Sequence, residues 1–338
     1  MKKVSVIIPV YNVEKYILVT VQSVLSQTHQ NFEILIVDDV SSDQTVETCK
    51  QFNDPRIKLI CHKENRGPSG TSNTGIRNAQ GEYIALLDGD DVWLPEKLEK
   101  HINHLEHSAN VGVSFSPSDF IDEVGQPLGT CQRPKLKDIT VSDLLLSNPL
   151  GNGSAAVYRR EVFEAIKFQD NLHGSVEDYY FDERFRMSQD LECLLRIAIQ
   201  THWQIEGISE TLTQYRVNPT GVSSNLLNNI EVWDRVLEKM SSYAPELIAQ
   251  WENKSRAYLL RYLARRAVRL QVGSLAVELI HRTLFTYWRI LIEEPRLTIL
   301  TWVAAYLLCF TPKFIYCKIE AFVYKFSAIM QRFYTLQE

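Results

Sequence analysis

The densest chemistry in the chain is Leu86-Leu87-Asp88-Gly89-Asp90-Asp91. Side chains two apart on an extended strand point the same way, so Asp88 and Asp90 face one direction. The apolar run Tyr83–Leu87 precedes them and reads as a strand, which puts both carboxylates where that strand ends. Adjacent carboxylates repel, and a hard divalent cation such as Mg2+ or Mn2+ relieves the repulsion. Such ions prefer oxygen ligands and share them with phosphates, so a nucleoside diphosphate bridging the metal would complete the site. A bare Asp-x-Asp triplet is more often an acidic turn. Its position after an apolar strand in a βα series favours the ligand reading here.

Three further motifs are weaker when taken alone. In Val37-Asp38-Asp39-Val40-Ser41-Ser42-Asp43, Asp39 lies just past a strand. A carboxylate there accepts a base N–H or a ribose hydroxyl; equally, Asp38 to Asp43 supply turn and cap groups, Asp43 above all. In Pro9-Val10-Tyr11-Asn12, Pro9 stops the strand ladder, and Tyr11 either stacks on a base or packs the sheet edge. In Met187-Ser188-Gln189-Asp190-Leu191-Glu192, Ser188 is the expected helix cap and Asp190 falls in the first turn. The positive helix end suits a carboxylate there. If that turn faces the crevice, Asp190 takes a proton from an incoming hydroxyl, although an ordinary helix-start aspartate is the commoner origin of the pattern. His101, His104 and His107 recur at threes on one helix; lacking a carboxylate or cysteine to complete a metal site, they read as solvated.

These residues need a scaffold, and the first 90 residues supply one. Strand signals at Val4–Ile8, Phe32–Val37, Ile57–Cys61 and Tyr83–Leu87 alternate with helical spacing around Ile17–Leu25, from Ser42 or Asp43 through Phe52, and over Pro68–Ala79. Pro95 opens a further helix to about His107, since proline suits a first turn. A βαβα order predicts a mostly parallel sheet with ligands at its carboxyl edge. Beyond it, short strands are expected at 111–116, 154–158 and 211–216, a helix at 188–200, and a loop or hairpin over 117–139. From about Leu226 the pattern is helical only.

The chain has 338 residues, and at roughly 150 per domain that suggests two domains or one with an appendage. Apolar residues at 45% and charged residues at 23% exclude wholesale disorder, collagen and a disulfide scaffold. A net charge of -5 argues against nucleic acid as the main partner. That total is split: residues 254–338 hold 13 Lys/Arg and 5 Asp/Glu, net +8, and residues 1–253 carry a net -13. Cys49, Cys61, Cys131, Cys193, Cys309 and Cys317 form no CxxC pair, which fits a reduced, cytoplasmic chain. The N-terminal apolar run is short, broken by Pro9 and followed by no small-residue cleavage site, so it reads as a buried strand rather than a signal peptide.

The four motifs, in this order and spacing, resemble glycosyltransferase family 2, inverting enzymes of GT-A fold found in bacterial cell-surface polysaccharide synthesis. The matching stretches are VSVIIPVYNVEKYI, SVLSQTHQNFEILIVDDVSSDQT, ENRGPSGTSNTGIRNAQGEYIALLDGDDVWLPEKL, GNGSAAVYRREVF, and SQDLECLLRIA with TLTQYR, together about residues 3–220. The resemblance implies an α/β catalytic domain over 1–225, with a Rossmann-like sheet and flanking helices, followed by an all-helical region over 226–338. It implies that Pro9 and Tyr11 line a nucleoside pocket, that Asp39 contacts the base, most often uracil, and that Asp88 contacts ribose or metal. Asp90 would ligate Mn2+ or Mg2+, and Asp190 would be the catalytic base. Asn152, Gly153 and Ser154 fall on the acceptor side. One departure stands out: Ser72 occupies a place where the family commonly has an arginine near the donor, and Arg66 or Arg77 would have to restore that charge.

The implied reaction moves a sugar from a nucleotide-diphosphate sugar, a UDP-sugar for preference, to a hydroxyl of a glycan or lipid-linked acceptor. A sugar-nucleotide nucleotidyltransferase is the rival, but it wants a Gly-rich basic loop where Tyr11-Asn12-Val13-Glu14 stands. A non-catalytic nucleotide-sugar-binding protein is the third reading; Ser72 favours it, and Asp88, Asp90 and Asp190 together oppose it. The basic tail keeps two readings. Arginines at 256, 261, 265, 266 and 269 interleave with Tyr258, Leu259, Leu260, Leu263 and Val268, and Leu297–Phe310 is apolar all round. That suits either a helical cap or a segment lying peripherally on the anionic inner face of the cytoplasmic membrane. The 16 residues Leu297–Pro312 are too few for a span, which takes about 20. The Lys313, Lys318 and Lys325 stretch, alternating with Phe314, Tyr316, Phe322 and Tyr324, continues the basic pattern.

Overall fold

The computed structural model describes residues 2–132, 134–218 and 226–312. The chain divides into two compact units, Met1–Ser224 with Asp234–Glu246, and Asn225–Trp233 with Leu247–Glu338.

The first unit alternates strands and helices as the periodicity requires. Its strands are β1 Val4–Val10, β2 Phe32–Asp38, β3 Ile57–Cys61, β4 Tyr83–Leu86, β5 Val92–Trp93, β6 Val111–Phe115, β7 Ser118–Ile121, β8 Pro127–Cys131, β9 Ala156–Arg159, β10 Phe168–Asp170, β11 Glu177–Tyr179, β12 Gln204–Gly207 and β13 Thr213–Arg216. Its helices are α1 Ile17–Leu25, α2 Thr45–Cys49, α3 Gly67–Asn78, α4 Lys97–His107, α5 Val141–Leu146, α6 Arg160–Ile166 and α7 Gln189–Gln200. The helix α8 Leu226–Tyr243 is divided between the two units. The remaining helices are α9 Pro245–Arg269, α10 Gly273–Thr286, α11 Ile290–Glu293 and α12 Pro295–Phe310.

The central sheet has seven strands in the order β12-β6-β9-β4-β1-β2-β3. All neighbours are parallel except β9, which runs antiparallel to β4 and β6. The sheet is therefore mostly parallel, as expected. Val4, Val6, Ile7 and Ile8 are fully buried, as suits the β-branched residues of a central strand covered on both faces, and the one serine among them, Ser5, is buried with its hydroxyl donating to Glu33 Oε1 at 2.6 Å. The chain winds from β1 outward to β2 and β3, then returns across β1 to β4. That reversal is a topological switch point, and it opens a crevice between the carboxyl ends of β1 and β4. The 117–139 segment forms the hairpin β7–β8, which joins β5 and β13 in a smaller sheet.

Three local expectations are corrected. Pro9 does not end its ladder: β1 pairs with β2 through Val10↔Asp38, and only the pairing with β4 stops, at Ile7↔Leu86. The helix expected to reach Phe52 ends at Cys49, where the bonds shorten to three-residue turns, Gln51 N–H to Thr48 O and Phe52 N–H to Cys49 O. The α4 histidines are not all solvated. His101 is fully buried, and Nδ1 of His101 and Nδ1 of His104 lie 2.7 and 2.8 Å from Ser114 Oγ.

Gly81 closes the α3–β4 turn against β1. A Cβ there would sit 2.5 Å from Ser5 N and 2.8 Å from Lys3 O, both backbone atoms. Gly81→Ala should therefore force the strand apart and cost about 1–3 kcal/mol. The urea midpoint should fall; an unchanged midpoint would show that the turn moves freely.

In the second unit, Leu260, Leu263, Ala264 and Ala267 of α9 pack with Ala276, Leu279 and Ile280 of α10 and Ala305 of α12. Among the described residues no helix is long and apolar enough to cross a membrane. The Lys313–Lys325 stretch lies outside the described residues.

Candidate active site

The acidic turn after β4 is held from four directions. Ser154 Oγ accepts the Asp88 N–H at 2.9 Å and donates to Asp91 Oδ2 at 2.6 Å. Arg216, at the end of β13, donates its N–H to Asp91 Oδ1 at 2.9 Å and its Nε to Asp90 O at 2.8 Å. Thr20 Oγ1, on α1, lies 3.0 Å from Gly89 O and 2.8 Å from Asp91 O. Behind the turn, Trp93 Nε1 donates to Ser154 O and Lys97 Nζ to Ala155 O, both at 2.9 Å. Asp91, Ser154 and Lys97 are fully buried. Burial brings the Lys97 ammonium down to about 7, against the opposing pull of Asp91.

Asp88 and Asp90 are half-buried in this turn, just beyond the carboxyl end of β4. Burial, then the charges of Asp90 and Asp190, push the Asp88 carboxyl up to about 7. Burial also raises Asp90, with Arg216 opposing. Burial disfavours the charged form of both carboxyls, the neighbouring carboxylates add to this at Asp88, and a bound cation would offset the rise. The donor set fits a hard divalent ion. Among the described residues no three His, Cys, Asp or Glu side chains are arranged to hold a metal. Mg2+ and Mn2+ that share their coordination with phosphates need only one or two carboxylates.

Asp190 lies in the first turn of α7, close enough for its charge to act on Asp88. Asn148 Nδ2 donates to its Oδ2 at 2.7 Å, while Asn148 Oδ1 accepts the N–H of Leu150 at 3.0 Å. The cap expectation is corrected: Ser188 has φ 57 and makes no side-chain cap bond, because a capping hydroxyl needs an extended backbone to reach the next turn. The helix is instead fixed from below. Glu192 and Arg196, both buried, pair at 2.7 Å, and Lys239 Nζ reaches Glu192 and Asp182 at 2.7 Å each.

Gly153 adjoins the turn; a Cβ there would be 3.7 Å from Asp88 Oδ2. Asn152 is buried and donates to Ser118 Oγ at 2.9 Å, while its Oδ1 has no partner among the described residues. Ser154, expected on the acceptor side, lies beneath the acidic turn with its hydroxyl engaged there.

Asp39 is buried at the end of β2 and holds the start of α3. Its Oδ1 accepts the Arg66 N–H and its Oδ2 the Gly67 N–H, each at 2.8 Å, and His62 Nδ1 lies 2.9 Å from Oδ1. Tyr11 is 54% exposed. Its loop is clasped to the next one, Ser42 N–H donating to Asn12 Oδ1 at 2.8 Å. Arg77 is not brought to the carboxylates. It sits in the last turn of α3, bonded to Asp178 O at 2.9 Å and paired with Glu177 at 3.2 Å. Arg66 pairs with Glu177 and Glu183. A cleft of about 600 Å³, lined by Tyr16, Val92, Gln214 and Arg216 among others, adjoins the same turn. Sequence alone assigns no role to Asn148, Asp91 or Arg216, although the acidic motif contains Asp91 and the TQYR stretch contains Arg216.

Comparison with known proteins bears on the family and the fold. Residues 5–167 match the model of glycosyl transferase family 2. The Escherichia coli UDP-Glc:alpha-D-GlcNAc-diphosphoundecaprenol beta-1,3-glucosyltransferase WfgD is 45% identical over 234 residues, 68% of this chain and 84% of that protein. Three uncharacterized Rickettsia glycosyltransferases also match, but the chain spans only 31% to 40% of their length. Among solved structures, S. aureus TarS in complex with UDP-GlcNAc has a TM-score of 0.58 at 18% identity, covering 87% of this chain and 91% of that one. The mannosyltransferase PcManGT from Pyrobaculum calidifontis, in complex with GDP-Man and Mn2+, has a TM-score of 0.54 at 18% identity, covering 90% and 86%. Both likenesses concern the fold, which is GT-A. By sequence, the chain belongs to glycosyltransferase family 2.

Proposed function

We propose that the first unit transfers a sugar from a UDP-sugar to a hydroxyl of a lipid-linked glycan, with inversion at the anomeric carbon. The observation that carries the reading is the convergence of Asp88, Asp90 and Asp190 on one edge of the sheet, at its topological switch point. The activity for which the 45% identical Escherichia coli relative is named supports the choice of nucleotide and of acceptor class. Asp190 accepts the proton of the acceptor hydroxyl as its oxygen bonds to the anomeric carbon. The bond from that carbon to the donor diphosphate breaks, and its electron pair leaves with the nucleotide. Asn148 holds the carboxylate of Asp190 in place, and the unpartnered Oδ1 of Asn152 is free to accept a substrate hydroxyl. Tyr11 and Pro9 face the nucleoside, with Asp39 toward the base. Asp90, with Asp88, would hold Mn2+ or Mg2+, which when bound offsets the charge of the leaving diphosphate. The protein would work in the cytoplasm, where its donor is made.

Calorimetry tests the metal half of this reading. Mn2+ should tighten binding of UDP to the native protein about tenfold, or about 1.4 kcal/mol. In Asp90→Ala it should do nothing. Equal tightening in both proteins would remove Asp90 from the site.

A further inference from the structure

The helix α12 is built the wrong way round for a helix in water. The residues it buries are small or polar: Thr298, Thr301 and Ala305. Those it turns to solvent are apolar, with Ile299, Leu300, Val303 and Phe310 exposed at 46%, 62%, 45% and 74%. A surface helix normally does the reverse. The preceding turn repeats the pattern. Phe285, Trp288 and Ile292 are exposed at 91%, 60% and 68%, and the turn adjoins the start of α12, where Thr298 Oγ1 donates to Ile290 O at 3.3 Å.

The charge of the same unit is one-sided. Its described residues, 226–233 and 247–312, hold 9 Lys/Arg and 5 Asp/Glu. Glu294 is paired with Arg261, and Glu293 with Lys254. Arg265, Arg269 and Arg296 form no ion pair among the described residues. Apolar side chains on the outside, aromatic residues beside them and unneutralised arginines together complement an anionic lipid headgroup layer rather than water.

We infer that the outward face of α12 and the α10–α11 turn, with Phe285, Trp288, Leu300 and Val303, dock the second unit onto an anionic bilayer surface. Docking is interfacial, since no described helix reaches across. Such a tether would hold the catalytic unit where a lipid-linked acceptor lies, yet it stands on this unit alone and needs no catalysis.

Flotation of the full chain with vesicles of phosphatidylcholine, with and without one-third phosphatidylglycerol, is the test. The native protein should float with the anionic vesicles and less so in high salt. Each arginine at the surface contributes about fivefold, so replacing Arg269 and Arg296, both exposed, by glutamine should weaken binding by roughly 25-fold. Phe285→Gln with Leu300→Gln should lose at least ~10-fold in vesicle affinity while UDP binding is retained, since both residues are exposed and lie outside the catalytic unit. Asp190→Asn should float like the native protein, which separates this inference from the catalytic one. The inference fails if the native protein stays with the unbound fraction, or if Phe285→Gln with Leu300→Gln floats equally well. It fails too if sedimentation shows a dimer that this substitution splits, because a second copy would then cover the face.

Discussion

Replacing Asp190 by asparagine should lower turnover at least ~100-fold, equivalent to about 2.7 kcal/mol of activation free energy, and leave donor affinity nearly unchanged. The substitution keeps the size and shape of the side chain. The amide oxygen can still accept from Asn148 Nδ2, so the α7 terminus need not move. What disappears is the capacity to take a proton at the crevice edge. An effect confined to kcat is the mark of an interaction made only in the transition state. Asn148→Ala should give a smaller loss in the same parameter, because it frees the carboxylate to rotate without removing it. Initial rates of sugar transfer and calorimetric binding of UDP measure the two quantities separately. Near-native turnover in Asp190→Asn would overturn the assignment. A parallel fall in rate and UDP affinity would instead make Asp190 a donor contact.

The elements that place Asp190 were legible in unequal measure. The β1 and β2 runs announce central strands because burial on both faces favours apolar residues, with Ser5 and Glu33 the exceptions that satisfy each other. Asp88 and Asp90 form a motif contained within six residues, but the extended-strand argument for their common direction does not hold, because β4 ends at Leu86 and both lie in the turn beyond it. The supports of that turn join distant segments: Arg216 lies 125 residues from Asp91, and Ser154 lies 63 away. No periodicity encodes such pairings. The α4 histidines show the same limit. His101 shares the spacing of Leu98, Ile102 and Leu105, the buried stripe of the helix, but its polarity suggested water. Ser114, which bonds both His101 and His104, comes from β6. Ser188 illustrates a different loss. Its residue type is right for a cap, but its left-handed backbone turns the hydroxyl away, and backbone conformation at one residue is not written in its type.

The second large effect should come from the charges beneath α7. Arg196→Leu should cost about 3–5 kcal/mol, enough to lower the melting temperature by on the order of 10 °C. Arg196 bonds Glu192 through Nε and through its NH2 group, and its NH1 donates to Ile166 O at 2.8 Å; all of this is buried. Leucine would leave the Glu192 carboxylate in the core with Lys239 as its remaining partner, and Lys239 is shared with Asp182. Burial pushes the Asp182 carboxyl up, yet Arg184 and Lys239 hold it at about 2, so Lys239 is already committed there. Glu192→Leu with Arg196→Leu should therefore lose less than the sum of its single variants, since the double change removes both charges and leaves apolar packing. Additive losses would show that the pair does not act as a unit. The network also bears on catalysis, because Glu192 lies two residues beyond Asp190 on the same helix. If it sets the angle of that first turn, Lys239→Met should reduce kcat while UDP affinity holds, and Lys239→Arg should restore most of the rate. A purely structural role would lower the melting temperature of Lys239→Met and leave the kcat of the folded enzyme alone.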